Sequence, residues 1–191
     1  GLKPLYQYAA LANGSAAHSL ELDDVINSAS LHPAVVIFPT AFSLAERDGK
    51  SGKELIESSI LGYEVMARLG EALNPTNIYN RGFHPTGVCG VFGAVATASK
   101  IMDLSEEQTT SALGIAGSQA AASMEFLKDG AWTKRLHPGW ASFSGLVATE
   151  LAKNSFLGPA TAIDGKNGFA NSYSMDYNLD ILKKEFSFTS N

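Results

Sequence analysis

Three of the four histidines stand directly before a proline: His32-Pro33, His84-Pro85 and His137-Pro138. The residue before proline is pushed out of helical geometry, while proline itself is tolerated in the first turn of a helix. Each pair therefore predicts a histidine just outside a helix start, where its ring can project into a cleft. Three ordinary helix entries with a polar residue at the turn are the alternative. Imidazoles trade protons near neutral pH. Lys134 and Arg135 could hold carboxylates, arginine as a bidentate fork and lysine as a point charge. Glu21 or Asp24 could orient an imidazole and fix its tautomer. The candidate catalytic residues are His32, His84 and Lys134, with Glu21, Asp24, Arg135 and His137 as candidate substrate-binding residues. This set suits proton abstraction beside a carboxylate, followed by loss of a leaving group or by reprotonation.

Other chemistries have less behind them. The chain has no phosphate-binding loop, dinucleotide fingerprint or paired-cysteine metal site. A zinc site would need His32, His84 and Asp24 to converge, and no histidine pair has the i, i+4 spacing of a helical metal motif. No nucleophile-elbow sequence supports a Ser–His–Asp triad. The expectation is chemistry without metal or cofactor. Cys89 lies in the apolar run 87–98 and reads as core. A single cysteine excludes an internal disulfide and fits a reducing compartment. With no secretory signal visible, a cytoplasmic location is expected. The net charge of −5 argues against a nucleic-acid surface, and no apolar run reaches membrane-spanning length.

The positioning elements read as helices throughout, so the expected class is all-α. A chain of 191 residues, 45% hydrophobic, suits one compact helical domain over residues 1–175, with 176–191 as a tail or the start of a further segment. The spacing predicts a helix over 5–12, a break at Asn13-Gly14-Ser15, and a second helix over 16–26 with His18, Glu21 and Val25 on one face. Residues 33–47 read as a helix that Pro39 bends or begins. Ser51-Gly52-Lys53-Glu54 and Ser105-Glu106-Glu107-Gln108 fit capping boxes, the first opening a helix to about residue 72. Residues 74–80 read as a loop leading to His84, and Pro85 opens a central helix of small residues. Lys128-Asp129-Gly130 is a turn, Pro138 opens a helix to about residue 154, 162–174 is loop, and 181–191 is a short strand or loose. The small-residue helices predict close packing and a homodimer formed through it.

Several stretches, in this order, resemble the MmgE/PrpD family, whose members include 2-methylcitrate dehydratase, cis-aconitate decarboxylase and iminodisuccinate epimerase. They are Ala17-His18-Ser19-Leu20-Glu21-Leu22-Asp23-Asp24, Leu31-His32-Pro33, Gly82-Phe83-His84-Pro85-Thr86-Gly87, Asp129-Gly130-Ala131-Trp132-Thr133-Lys134-Arg135-Leu136-His137-Pro138-Gly139 and Gly165-Lys166-Asn167-Gly168-Phe169. The resemblance implies a large helical domain carrying most of an active site. It implies that His32 and His84 match the family's active-site histidines, Lys134 its active-site lysine, and residues 21–24 its acidic pocket segment. The decarboxylase has aspartate where Glu21 aligns and threonine where Val25 aligns. The family also has further N-terminal helices and a smaller α+β domain that closes over the pocket. Neither is visible here, and the chain opens on Gly1 rather than Met, so a partial chain or a separate lid segment is expected. The implied function is a cofactor-independent lyase, like the dehydratase, or an isomerase acting on a small di- or tricarboxylate. A non-catalytic assembly module is the alternative.

Overall fold

A computed structural model describes residues 5–185. Among these residues the chain forms eight α-helices and two short 3₁₀ turns, with no strand and only two isolated antiparallel bridges. The all-α expectation holds. Among the described residues no helix is long and apolar enough to cross a membrane.

The central element is α5, Pro85–Ile101. Proline opens it, as expected, with His84 at the N-cap, and every residue of it except Lys100 is buried. Such a helix must be wrapped on all sides. It packs against α3 (Gly52–Ala72), α7 (Thr133–Lys153), α2 (Ala34–Asp48) and α6 (Glu106–Gly117). Small residues set the spacing. A β-carbon at Gly145 of α7 would lie 2.4 Å from the Ala94 β-carbon and 3.0 Å from the Val91 carbonyl oxygen on α5. Both capping boxes form. Ser51 Oγ accepts the Glu54 N–H at 3.3 Å while the Ser51 N–H reaches Glu54 Oε2 at 2.8 Å. Ser105 and Gln108 repeat the exchange at the start of α6.

The structure departs from the local reading in several places. First, α1 runs unbroken from Tyr6 to Ala17, through Asn13-Gly14-Ser15, and residues 18–26 are not helical. Gly14 is kept in the helix by packing. A β-carbon there would come within 2.8 Å of Gly139 Cα on α7 and 2.9 Å of the Val35 carbonyl oxygen on α2. Beyond residue 18, Leu20, Leu22 and Val25 are exposed, so a helix here would bury little apolar surface and has no packing to hold it. The expected placing of Glu21 and Asp24 near a helix end falls with it. Second, α2 begins at Ala34 and continues through Pro39, so Pro39 does not begin it. The Val36 carbonyl in that stretch accepts the hydroxyls of Thr40 (2.8 Å) and Ser142 (2.9 Å). Third, residues 75–80 form a short helix, α4 (Pro75–Asn80), capped by Asn74, whose side chain accepts the Thr76 N–H. Fourth, α7 begins at Thr133, so Pro138 lies inside it and His137 is within the helix rather than before it.

Phe169–Tyr173 forms a short α8 inside the stretch expected to be loop. Residues 179–183 make a 3₁₀ turn against α3, and the Arg68 guanidinium donates to the carbonyls of Leu182 (3.4 Å) and Glu185 (3.3 Å). No strand forms at 181–185, and residues 186–191 lie outside the described part.

Candidate active site

All four histidines of the chain meet at one end of α5. His18 terminates α1, its N–H donating to the Gly14 carbonyl at 3.3 Å. The chain then runs irregularly to α2. This arc is pinned by the Ile26–Leu31 bridge, whose N–H···O distances are 2.9 and 3.4 Å, and by burial of Ala29 and Leu31. Asp24 fastens its middle: Oδ1 accepts the Ala34 N–H at 3.0 Å, at the start of α2, and Oδ2 accepts the Tyr63 hydroxyl at 2.9 Å. A carboxylate at a helix N-terminus satisfies donors that are otherwise orphaned. The His32 N–H donates to Thr86 Oγ1 at 3.1 Å, tying the arc to the first turn of α5. His84 is held by its own N–H to the Ala122 carbonyl, 2.9 Å. Lys134 and His137, three apart on α7, share a helix face.

The rings are close. Centroid separations are 5.1 Å for His18–His32, 5.7 Å for His18–His84, 6.5 Å for His32–His84 and 5.4 Å for His84–His137. The Nδ1 atoms of His84 and His137 are 3.2 Å apart, one imidazole donating its N–H to the other's lone pair. His32 Nδ1 faces two acceptors, the Asp24 carbonyl at 2.7 Å and Asp23 Oδ2 at 3.3 Å. It must therefore carry the proton, which leaves Nε2 bare in the neutral ring. His18 Nδ1 donates to the same Asp23 oxygen at 2.8 Å. The Lys134 ammonium is 2.8 Å from Glu21 Oε1. Glu21 itself has φ +53, a left-handed conformation that non-glycine residues seldom adopt. The ammonium and its hydrogen bond hold the Glu21 carboxyl below the usual carboxylate range.

Burial decides the charge state. His84 is 2% exposed, and desolvation, helped by the neighbouring His137, His18 and Lys134, pushes it down to about 2. Burial takes His137 down to about 4. His18 is also lowered, desolvation outweighing the Asp23 carboxylate. These rings are neutral at pH 7. The unfolded chain's histidines titrate near 6.5, so between that pH and the lower folded values the unfolded state binds more protons. Stability therefore falls as pH falls below about 6.5, with a slope approaching ~1.4 kcal/mol per pH unit for His84 alone. Urea midpoints compared at about pH 7 and about pH 5 should show the drop; equal midpoints would mean that the rings titrate normally.

The expected residues divide clearly. His32, His84, His137, Lys134 and Glu21 converge. Asp24 does not offer a free oxygen, since both its carboxylate oxygens are engaged in holding the arc. Arg135 is also outside the cluster, its guanidinium 5.0 Å from the ring centroid of exposed Trp132. The zinc set His32, His84 and Asp24 is not assembled. His18, Asp23 and His32 instead bring one potential ligand atom each within 4.8 Å of one another, but His18 Nδ1 is bonded to Asp23 and His32 Nδ1 to the Asp24 carbonyl. His18 and Asp23 are the additions to the site. His18 is the one histidine not followed by proline, so the His-Pro pattern passes over it. Cys89 is fully buried in α5, with its thiol pushed up to about 12 by desolvation, as a core residue should be.

The model of the MmgE/PrpD N-terminal domain matches residues 3–182. The chain is 36% identical over 186 residues to cis-aconitate decarboxylase of Homo sapiens, covering 95% of this chain and 38% of that protein. It is 34% identical over 169 residues to a cis-aconitate decarboxylase-like protein of Aspergillus oryzae, covering 85% and 35%. It is 32% identical over 153 residues to cis-aconitate decarboxylase of Aspergillus terreus, covering 78% and 31%. The chain thus spans about a third of the length of the curated relatives it matches. With a matching domain model across nearly all of its residues, this chain belongs to the MmgE/PrpD family.

Proposed function

We propose that this chain is the site-bearing helical part of a cofactor-independent lyase acting on a small di- or tricarboxylate, with decarboxylation of a cis-aconitate-type substrate as the reaction. The observation that carries the reading is the convergence of four imidazoles and one ammonium from four separate segments. The relatives' names support the substrate class.

A substrate carboxylate displaces Glu21 from the Lys134 ammonium, exchanging one ion pair for another. Glu21 thus holds the amine in place only until the substrate arrives. His32, with Nε2 bare and an anion beside Nδ1, is the proton carrier. In decarboxylation the bond to the departing carboxyl breaks. Its electron pair runs into the conjugated system ending on a retained carboxylate, CO₂ leaves, and His32, having taken a proton from solvent on Nε2, delivers it to carbon and becomes neutral again. Neutral His84, backed by His137, hydrogen-bonds the charge that develops. Dehydration would use the same rings, with His32 removing a C–H proton and an acid protonating the departing hydroxyl. Lys134 is the one ammonium in the cluster among the described residues, and one positive charge does not balance three carboxylates. The remaining cations, and the closure that excludes water, are assigned to parts of the protein beyond this chain or to a second copy in a homodimer.

The test is CO₂ release from cis-aconitate by the purified protein, paired with thermal melts over a range of tricarboxylate concentration. Release is expected, together with a melting temperature that climbs with ligand. Lys134→Ala should flatten that climb and raise KM. Neither turnover nor ligand-dependent stabilisation, in the unaltered protein and the variant alike, would overturn the reading and leave a helical assembly module.

A further inference from the structure

His18 and Asp23 form the least explained part of the cluster. His18 is fully buried, and among the described residues its Nε2 has no hydrogen-bond partner. The Asp23 side chain is 5% exposed, and its Oδ1 also lacks one. An isolated buried carboxylate is costly, and a half-satisfied one is retained only where something answers its charge. What answers it is asymmetric. Oδ2 receives the N–H of His18 at 2.8 Å and faces His32 Nδ1 at 3.3 Å. His18 is held neutral by burial, whereas the His32 side chain is 23% exposed, with room for a second proton on Nε2.

We propose that Asp23 is a positioning residue for His32, lending its negative charge whenever that ring is protonated, and that His18 is the neutral clamp keeping the carboxylate in place. The tautomer of His32 is already fixed by the Asp24 carbonyl at 2.7 Å. Asp23 adds charge and His18 adds aim. Because one oxygen serves both rings, proton arrival on His32 converts the longer contact into an ion pair without moving the backbone. The other groups facing His32 are His18 from the end of α1, His84 from α5, and Glu21 within the arc, whose charge is met by Lys134 of α7. Of these acids, Asp23 alone sits at ion-pair distance from the ring.

The assignment rests on the proton-carrying role given to His32 above, so one readout is independent of turnover. In protein labelled with ¹⁵N-histidine, Asp23→Asn should move the His32 ring pattern at about pH 6 toward that of the neutral ring. The same variant should lower kcat by about tenfold or more, KM staying within about twofold, and shift the alkaline limb of the rate profile, where the His32 proton is lost, to lower pH. His18→Asn places an amide nitrogen where Nδ1 was and cannot take up a proton. It should lose clearly less kcat than His18→Leu, which removes the donor and should lose about as much as Asp23→Asn. The double variant His18→Leu with Asp23→Asn should be no worse than Asp23→Asn alone. An Asp23→Asn protein with an unchanged His32 ring pattern would overturn the assignment whatever its activity, and so would equal losses from His18→Asn and His18→Leu. If His18→Leu does not fold, Asp23→Asn and His18→Asn decide the matter. An inert protein whose His32 pattern still moves would count against the lyase reading and not against this one.

Discussion

His84→Ala is expected to cut turnover by about 10²- to 10⁴-fold, the range for losing a positioned acid–base or hydrogen-bonding group. The ring stands between His18, stacked at 5.7 Å, and His137, bonded through Nδ1. Its removal leaves His137 without a partner and takes a neutral hydrogen-bonding group from the bottom of the cluster. The fold should survive, because His84 caps α5 through its backbone and makes no side-chain capping bond. The far-UV helix signal should therefore match that of the unaltered protein while kcat collapses. Near-unaltered rates from the folded variant would remove His84 from the mechanism.

The second large effect is one of stability. In Gly139→Ala the new methyl would lie 2.2 Å from the Leu11 carbonyl oxygen, 2.4 Å from Ser15 Oγ and 2.9 Å from Ser15 N. Two of these three atoms are backbone, so a rotamer change cannot relieve the clash, and α1 and α7 must separate. A loss on the order of 3 kcal/mol is expected, at the upper end of ordinary overpacking penalties, with a melting temperature lower by roughly 6–12 °C for a domain of this size. Gly52→Ala is the control. It sits in the first turn of α3, and its added methyl would meet nothing within 4 Å, so stability should hold or rise slightly. Activity should fall in Gly139→Ala as well. His137 lies two residues before Gly139, and His18 lies one turn after Gly14, the residue that Gly139 faces. A melt indistinguishable from that of the unaltered protein would show that the helix crossing is looser than its geometry states.

What was legible in the sequence was local chemistry. The two capping boxes, the proline opening α5 and the turn at Gly130 each depend on a few adjacent residues, and each is found. His32 and His84 could be placed just before helix starts for the same reason, whereas His137 lies inside α7. What was not legible depended on partners distant in the chain. Gly14 reads as a break until Gly139 is set against it. Residues 16–26 read as a second helix with His18, Glu21 and Val25 on one face, although Leu20, Leu22 and Val25 lie exposed and give such a helix nothing to pack against. Pro138 reads as a helix start, yet α7 begins five residues earlier, and the Pro138 carbonyl accepts the Ser142 hydroxyl within it. Arg135 resembles a second anion-binding group until the helix turns it onto Trp132. The pairing of His18 with Asp23 was hidden because a five-residue separation carries no meaning in a segment without regular geometry.

Because these 191 residues hold no histidine outside the cluster, any imidazole-selective probe of this chain is a probe of one location. Acylation by a histidine reagent, paramagnetic broadening or an isotope-edited spectrum would report from that cluster without background. Occupancy could then be followed before a substrate is known.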